Sequence, residues 1–256
     1  MTADHWTQAV RQHLGLGRLL PLGGPGDGAW IAEPAAGAVL RRSVDDLPGL
    51  RLGALRLSLA DTGTAYEAGV PAPPSALPPG PLRIVAECAA APDEPLPGAA
   101  GRLRTALARA ADSGLGLVVA EIDVRVTELL EPGATPASAR REQPRTPEEK
   151  PPPGADTSGG GNGNGDAGRV ADAARAVPGV ARLTGALGGL GRPVHIEERA
   201  QGRQGEAALP RRHVRVELAV ARGARALDVA RAVREAVTTA LPDRPTVAVL
   251  VTESAD

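Results

Sequence analysis

The sequence has no phenylalanine, one tyrosine, one methionine and two tryptophans among its 256 residues. Its cores must be built from alanine, valine and leucine, which bury less apolar area each than aromatic rings do. The same shortage disfavours a single-strand nucleic-acid binder, which stacks bases on aromatic side chains. Cys88 is the only cysteine. That excludes an intrachain disulfide and fits a reducing compartment. Lysine occurs only at Lys150, and the net charge is −1, whereas a polyanion binder is usually strongly basic. No apolar run approaches the roughly 18 residues of a spanning helix. No charged region followed by an apolar stretch marks a signal peptide. These absences predict a cytoplasmic protein with no direct membrane insertion.

Catalytic and metal-binding patterns are missing too. His5, His13, His195 and His213 form no H-E-x-x-H or i, i+4 arrangement, and Cys88 has no Cys or His near it in sequence, so zinc is unsupported. There is no G-x-S-x-G elbow. The run Gly23-Gly24-Pro25-Gly26-Asp27-Gly28 has no recognisable strand before it and no Lys-Ser or Lys-Thr after it, so it does not read as a phosphate loop. Glu87 and Glu217 alternate away from the apolar positions of their strands and read as solvated. The expectation is a non-enzymatic protein with no catalytic residues, no cofactor, no metal and no small-molecule substrate.

What is present is organised around Val170–Glu253. Val170, Ala173, Ala174 and Val177 recur at helical spacing over 169–176, and Pro178-Gly179 ends that helix. A short strand follows over 182–187, then a polar loop. Val214, Val216, Leu218 and Val220 alternate with Arg215, Glu217 and Ala219 as a strand with one buried face. Leu227, Ala230, Val233, Val237 and Leu241 trace one helical stripe. Thr246–Thr252 is β-branched and reads as a buried strand. The order is α-β-β-α-β, with an antiparallel first pair and a parallel last pair.

Residues 29–130 read as a diverged earlier copy. Leu47-Pro48-Gly49-Leu50 repeats Val177-Pro178-Gly179-Val180. Glu87 aligns with Glu217 at the same offset, and Val124-Arg125-Val126-Thr127-Glu128 matches Val249-Leu250-Val251-Thr252-Glu253 in kind. Residues 61–81, rich in Gly, Ala and Pro, read as a mobile loop. Residues 131–168 are Pro-rich and then Gly- and Asn-rich, and read as a disordered linker. Residues 1–28 read as an N-terminal arm on the first copy, with Trp6 as a candidate docking anchor. The fold class expected is α+β: two tandem small α-β-β-α-β domains (29–130 and 169–256), helices on a mixed sheet, joined by that linker.

Arg212, Arg215, Arg231 and Arg234 cluster in sequence around the second copy's central strand and last helix. Together with Trp6 they are the candidate interaction surface. A basic face there is the main argument for the alternative function, nucleic-acid binding by an RNA-module-like domain. Glu217, Asp228 and Glu235 interleave with it, which favours a solvated, ion-paired face.

The pattern Val170–Val180 with its V-x-G-V closure, Val214–Val220, Leu227–Leu241 and Thr246–Thr252 resembles the alkaline-shock-protein family of bacterial general-stress and cell-envelope-stress proteins. The likeness covers about a third of the chain. It implies a non-enzymatic scaffold or adaptor whose partner is itself or a membrane-anchored protein. It further implies a location peripheral to the membrane through that partner. No catalytic residues come with the resemblance.

Overall fold

The computed structural model describes residues 17–130, 162–186, 192–200 and 210–255. Trp6 and residues 131–161 lie outside them. Within them the chain runs β1 (Leu19–Leu22), β2 (Ala29–Ala32), α1 (Glu33–Asp45), β3 (Leu50–Leu59), β4 (Leu82–Ala90) and α2 (Leu96–Arg109). A π-helical turn (Ala110–Leu115) leads to β5 (Val119–Leu129). The second half runs α3 (Asn162–Arg175), β6 (Val180–Leu183), β7 (Val194–Ala200), β8 (Pro210–Val220), α4 (Ala226–Ala240) and β9 (Thr246–Ser254). The protein is mixed α+β, with four helices and two mixed sheets among the described residues.

The α-β-β-α-β order is present in the first half and recurs in the second with one strand, β7, inserted, and the pairing of the shared strands repeats with it. β3 runs antiparallel to β4 with Leu50 opposite Ala90, and β6 runs antiparallel to β8 with Val180 opposite Val220. β4–β5 and β8–β9 are both parallel. Even the irregularity recurs: the register slips between Cys88 and Ala89, and again between Leu218 and Ala219. The turns closing α1 and α3 match as well. Ala91 N–H bonds Gly49 O and Ala221 N–H bonds Gly179 O, each at 2.8 Å. Gly179 is obligatory there: its φ is +93°, and a Cβ would stand 2.6 Å from Val229 Cγ2.

The halves are not packed separately. The first sheet is β3-β4-β5, but the second is β1-β2-β9-β8-β6, with β7 also on β8. The hairpin whose first strand lies in the arm (1–28) and whose second opens the stretch read as the first copy instead lies on β9, with β2 parallel to it (Ala29, Trp30 and Ile31 opposite Val249, Leu250 and Val251). Buried apolar side chains form one continuous cluster from Leu19 through Leu107 to Val251. Arg42 Nη2 reaches Ser254 Oγ at 2.9 Å, fixing α1 to the end of β9. Two tandem domains moving independently are therefore not confirmed, because one hairpin and one core are common to both repeats.

Three local expectations change. Helix α3 begins at Asn162, inside the stretch assigned to the linker. Asp166 holds it there by pairing with Arg169 and, at 2.7 Å, with Arg212 on β8. The loop 61–81 is tied down rather than mobile: Leu77 N–H bonds Leu19 O at 2.8 Å, Gly69 N–H bonds Pro25 O at 2.9 Å, and Trp30 Nε1–H bonds Leu77 O at 3.2 Å. The polar stretch after β6 contains strand β7, which the sequence reading missed.

Candidate functional site

Three places in the fold carry unusual chemistry. The first is a cavity of about 660 Å³ where the repeats meet, bounded by Gly23 and Gly24, Asp112, Gly116, Arg225 and Arg231. The hairpin turn forms one wall because Asp27 ties it: Gly24 N–H donates to Asp27 Oδ2 at 2.7 Å. A strand does precede this glycine run, contrary to the sequence reading, but its amide meets an internal carboxylate. Arg231 then clamps Asp27 with two bonds of 2.7 and 3.1 Å. Burial works to raise the Asp27 carboxyl, but the Arg231 bond, the Gly24 amide and the charges of Arg231 and Arg234 outweigh it. They hold it below its ordinary value. Arg225 is engaged by Asp112 O at 2.9 Å and by Asp228 at 3.1 Å. The cavity's two cations are thus already neutralised, and they do not make an anion site.

The second place is a buried carboxylate. Glu217 is fully buried, which overturns its reading as a solvated strand residue. The edge strand opposite it is interrupted between β6 and β7, and the ends of the interruption close over it. Ala186 N–H donates to Glu217 Oε2 at 2.7 Å, Thr184 N–H to its carbonyl at 2.9 Å, and its own N–H to Pro193 O at 2.9 Å. Arg215 Nε stands 3.6 Å and His195 Nε2 3.8 Å from Oε1. His195 Nε2–H bonds Arg192 O at 2.9 Å. Burial first, and then the Arg215 charge, push the imidazole below its ordinary value, against the pull of Glu217 and Glu197. A buried acid, a cation and an imidazole are brought together, with no hydroxyl or thiol nucleophile among them. Cys88 is buried on the other sheet, where burial pushes its thiol up.

The third place is β5. In the second repeat the matching strand β9 is paired on both sides, and Val249 N–H donates to Gly28 O at 3.0 Å. In the first repeat no described strand lies beyond β5. Its apolar row is left half-open: Ile122, Val124 and Val126 are intermediate in exposure, whereas Val247, Val249 and Val251 are at most 1% exposed. Val118 and Leu129, at the two ends of the strand, are 48% and 58% exposed.

The arginines singled out in sequence do not form one face. Arg212 is paired with Asp166 and Asp243. Arg215 lies beside Glu217, and Arg231 clamps Asp27. Arg234 donates to the carbonyls of Gly26 and Asp27 at 2.7 and 2.5 Å. Sequence reasoning missed Asp27 and Trp30, whose partners lie far away in the chain. It also gave no role to Asp123 and Arg125, although their place on a β9-like strand was visible. Among the described residues no three His, Cys, Asp or Glu side chains cluster as metal ligands, and no described helix is long and apolar enough to cross a membrane. No family model, curated protein or solved structure matches the chain.

Proposed function

We propose that the protein is a non-enzymatic adaptor that works by protein–protein contact, with the edge of β5 as its contact surface. The observation that carries this reading is the contrast between β5 and β9. The same strand of the repeat is completed by β2 in one sheet and is the last described strand of the other, half-exposed. An unpaired edge presents a row of backbone donors and acceptors, and an added strand satisfies them. The apolar row beside it supplies area to bury.

The two repeats are diverged copies, and the setting we propose is cell-envelope stress. The support for that setting is the resemblance of the second repeat's apolar pattern, and a membrane-anchored protein is one partner it suggests. The engagement of Arg212, Arg215, Arg231 and Arg234 in internal contacts favours protein contact over nucleic-acid binding.

The test is photo-crosslinking in living cells, with a photoreactive residue at exposed Thr127 on β5 or, as a control, at exposed Arg175 on α3. Protein adducts at Thr127 that rise under alkaline or envelope stress, and none at Arg175, support the proposal. Adducts lost on nuclease treatment would replace it with nucleic-acid binding, and no adduct at Thr127 would reject the β5 surface.

A further inference from the structure

The direction in which β5 points the backbone groups that β4 does not use follows from its neighbours. Leu82 N–H donates to Val118 O, and Leu130 N–H donates to Ala90 O, so even-numbered residues of β4 face β5. Pro81 O, by contrast, accepts from Ala60 N–H on the β3 side. With Ile84 opposite Ile122 and Ala86 opposite Val124, the bonds to β4 come from the odd residues of β5. Ile122, Val124 and Val126 therefore turn their N–H and C=O groups outward, and the Ile122 carbonyl accepts from Arg104 Nε at 3.3 Å, a contact that an added strand would replace. The second repeat agrees, since Val249, the counterpart of Val124, is the residue bonded to Gly28.

On the polar face of this edge, Asp123 and Arg125 flank Val124. Asp123 accepts from Arg83 Nε at 2.6 Å. Arg125 is exposed and makes no ion pair with any described residue. We infer that the occupant of the β5 edge is a second copy of β5, running antiparallel about a two-fold axis at Val124. This inference rests on the proposed reading of β5 as a contact surface. In that register Val124 faces itself and Ile122 faces Val126 of the other copy, so the outward-pointing groups bond each other. Asp123 stands opposite Arg125 of the other copy, and Arg125 opposite its Asp123. Neighbouring registers either set like charges face to face or, when centred on Val126, leave Arg125 opposite Thr127 and Asp123 opposite Leu129 without an opposite charge. Centring on Asp123 or on Arg125 sets like charges face to face, and centring on Ile122 sets Glu121 against Asp123. A self-complementary patch is what a two-fold interface requires.

The test is sedimentation equilibrium of the full chain from about 1 to 100 µM, a range that spans weak self-association. Wild type should show a monomer–dimer equilibrium. Asp123→Arg alone, or Arg125→Asp alone, puts two like-charge pairs in the interface and should raise the dimer Kd about tenfold. The double variant D123R/R125D restores two opposite-charge pairs across the interface and should return it to within about threefold of wild type, with the Arg83–Asp123 pair inside each copy lost in both D123R and the double variant. Val124→Pro removes an outward N–H that β4 does not use, so it should abolish the dimer while the circular-dichroism spectrum stays that of wild type. If that variant misfolds, the charge reversal and its rescue still decide the matter. A wild type that stays monomeric throughout, or a double variant no better than the singles, overturns self-pairing. Crosslinks from Thr127 to a different protein would then keep the contact-surface reading, whereas a monomer without crosslinks removes both.

Discussion

Strands β5 and β9 hold the same place in two copies of one topology, yet one lies in the middle of its sheet and the other at the rim. The difference comes from outside the repeat. β1 and β2 precede α1, where the repeated order begins, but complete the sheet of the second repeat. Completion also changes the opposite face of the sheet: Trp30, Leu250 and Glu217 stand in line across β2, β9 and β8, all buried. In the first repeat Glu87 holds Glu217's place but is only half-buried, opposite a bulge at Gly53 and Ala54. One repeat is a closed core element, and the other has an edge that no described strand covers and an ion-paired outer face.

The most forceful way to erase this contrast is to undock the hairpin. Trp30 is 1% exposed, and Trp30→Ala should cost about 3–5 kcal/mol, the usual range for a large aromatic removed from a core. Urea denaturation measures the loss. Hydrogen exchange should show Val249 losing its protection while residues of β4 keep theirs, making the second sheet's edge resemble the first's. A cost below about 1 kcal/mol would mean that the hairpin adds little to the second sheet.

The junction between repeats comes next. Gly116 ends the π-helical turn at φ +84°, and a Cβ there would lie 2.4 Å from Leu227 Cβ on α4. Gly116→Ala should cost about 2–3 kcal/mol through backbone strain and the forced retreat of α4. Gly179→Ala strains one repeat only. If the repeats unfold as a unit, both variants should lower a single cooperative transition. If they unfold apart, only Gly116→Ala should perturb both transitions.

The third test compares the paired carboxylates. Glu217→Gln leaves an acceptor for the Ala186 amide but removes the charge beside Arg215, and should cost about 1–3 kcal/mol. Glu87→Gln, on a half-open face, should stay within about 0.5 kcal/mol. Equal costs at the two positions would undo the claim that they differ in environment.

How much of this was legible depended on how local the cause was. The stripe from Leu227 to Leu241 gave α4 nearly to the residue, and the alternation of Val214–Val220 gave β8 except for its first four residues, because period determines those elements. The recurring turn and strand pairing were readable for the same reason: Pro48-Gly49 and Pro178-Gly179 are turns that sequence dictates. The pairing of β2 with β9 was not, since no signal in Ala29–Ala32 names a partner more than two hundred residues on. Glu217 was misread because alternation shows which face a side chain takes but not what covers that face. Strand β7 was missed because its His195, Glu197 and Glu198 carry the composition of a loop, a common feature of edge strands. At the candidate site the arginines were legible as a cluster in sequence. Their dispersal among Asp166, Glu217 and Asp27 depended on tertiary packing.

The smallest predicted effect separates the repeats by pH. No histidine lies in residues 17–130, whereas the second sheet holds His195 beside Arg215, Glu217 and Glu197. The folded state keeps the His195 imidazole's affinity for a proton below its unfolded value, mainly by burial. Its neutral form is thus favoured by folding. That contribution is complete above the unfolded value of about 6.5 and is lost as pH falls through the lower folded value. Acidification from about pH 7 to about pH 5 should therefore weaken β7 and β8 before it weakens β3, β4 and β5. Hydrogen exchange at His195, Arg215 and Val216, compared with Ile84 and Ala86, reads the difference. His195→Gln should flatten the slope of the unfolding midpoint over this range, with His213 present in both proteins as an internal control. A variant with the wild-type slope would assign the acid sensitivity elsewhere. Equal weakening of both sheets would mean that the shared core transmits the change, and that the repeats, though different at their edges, respond to protonation as one body.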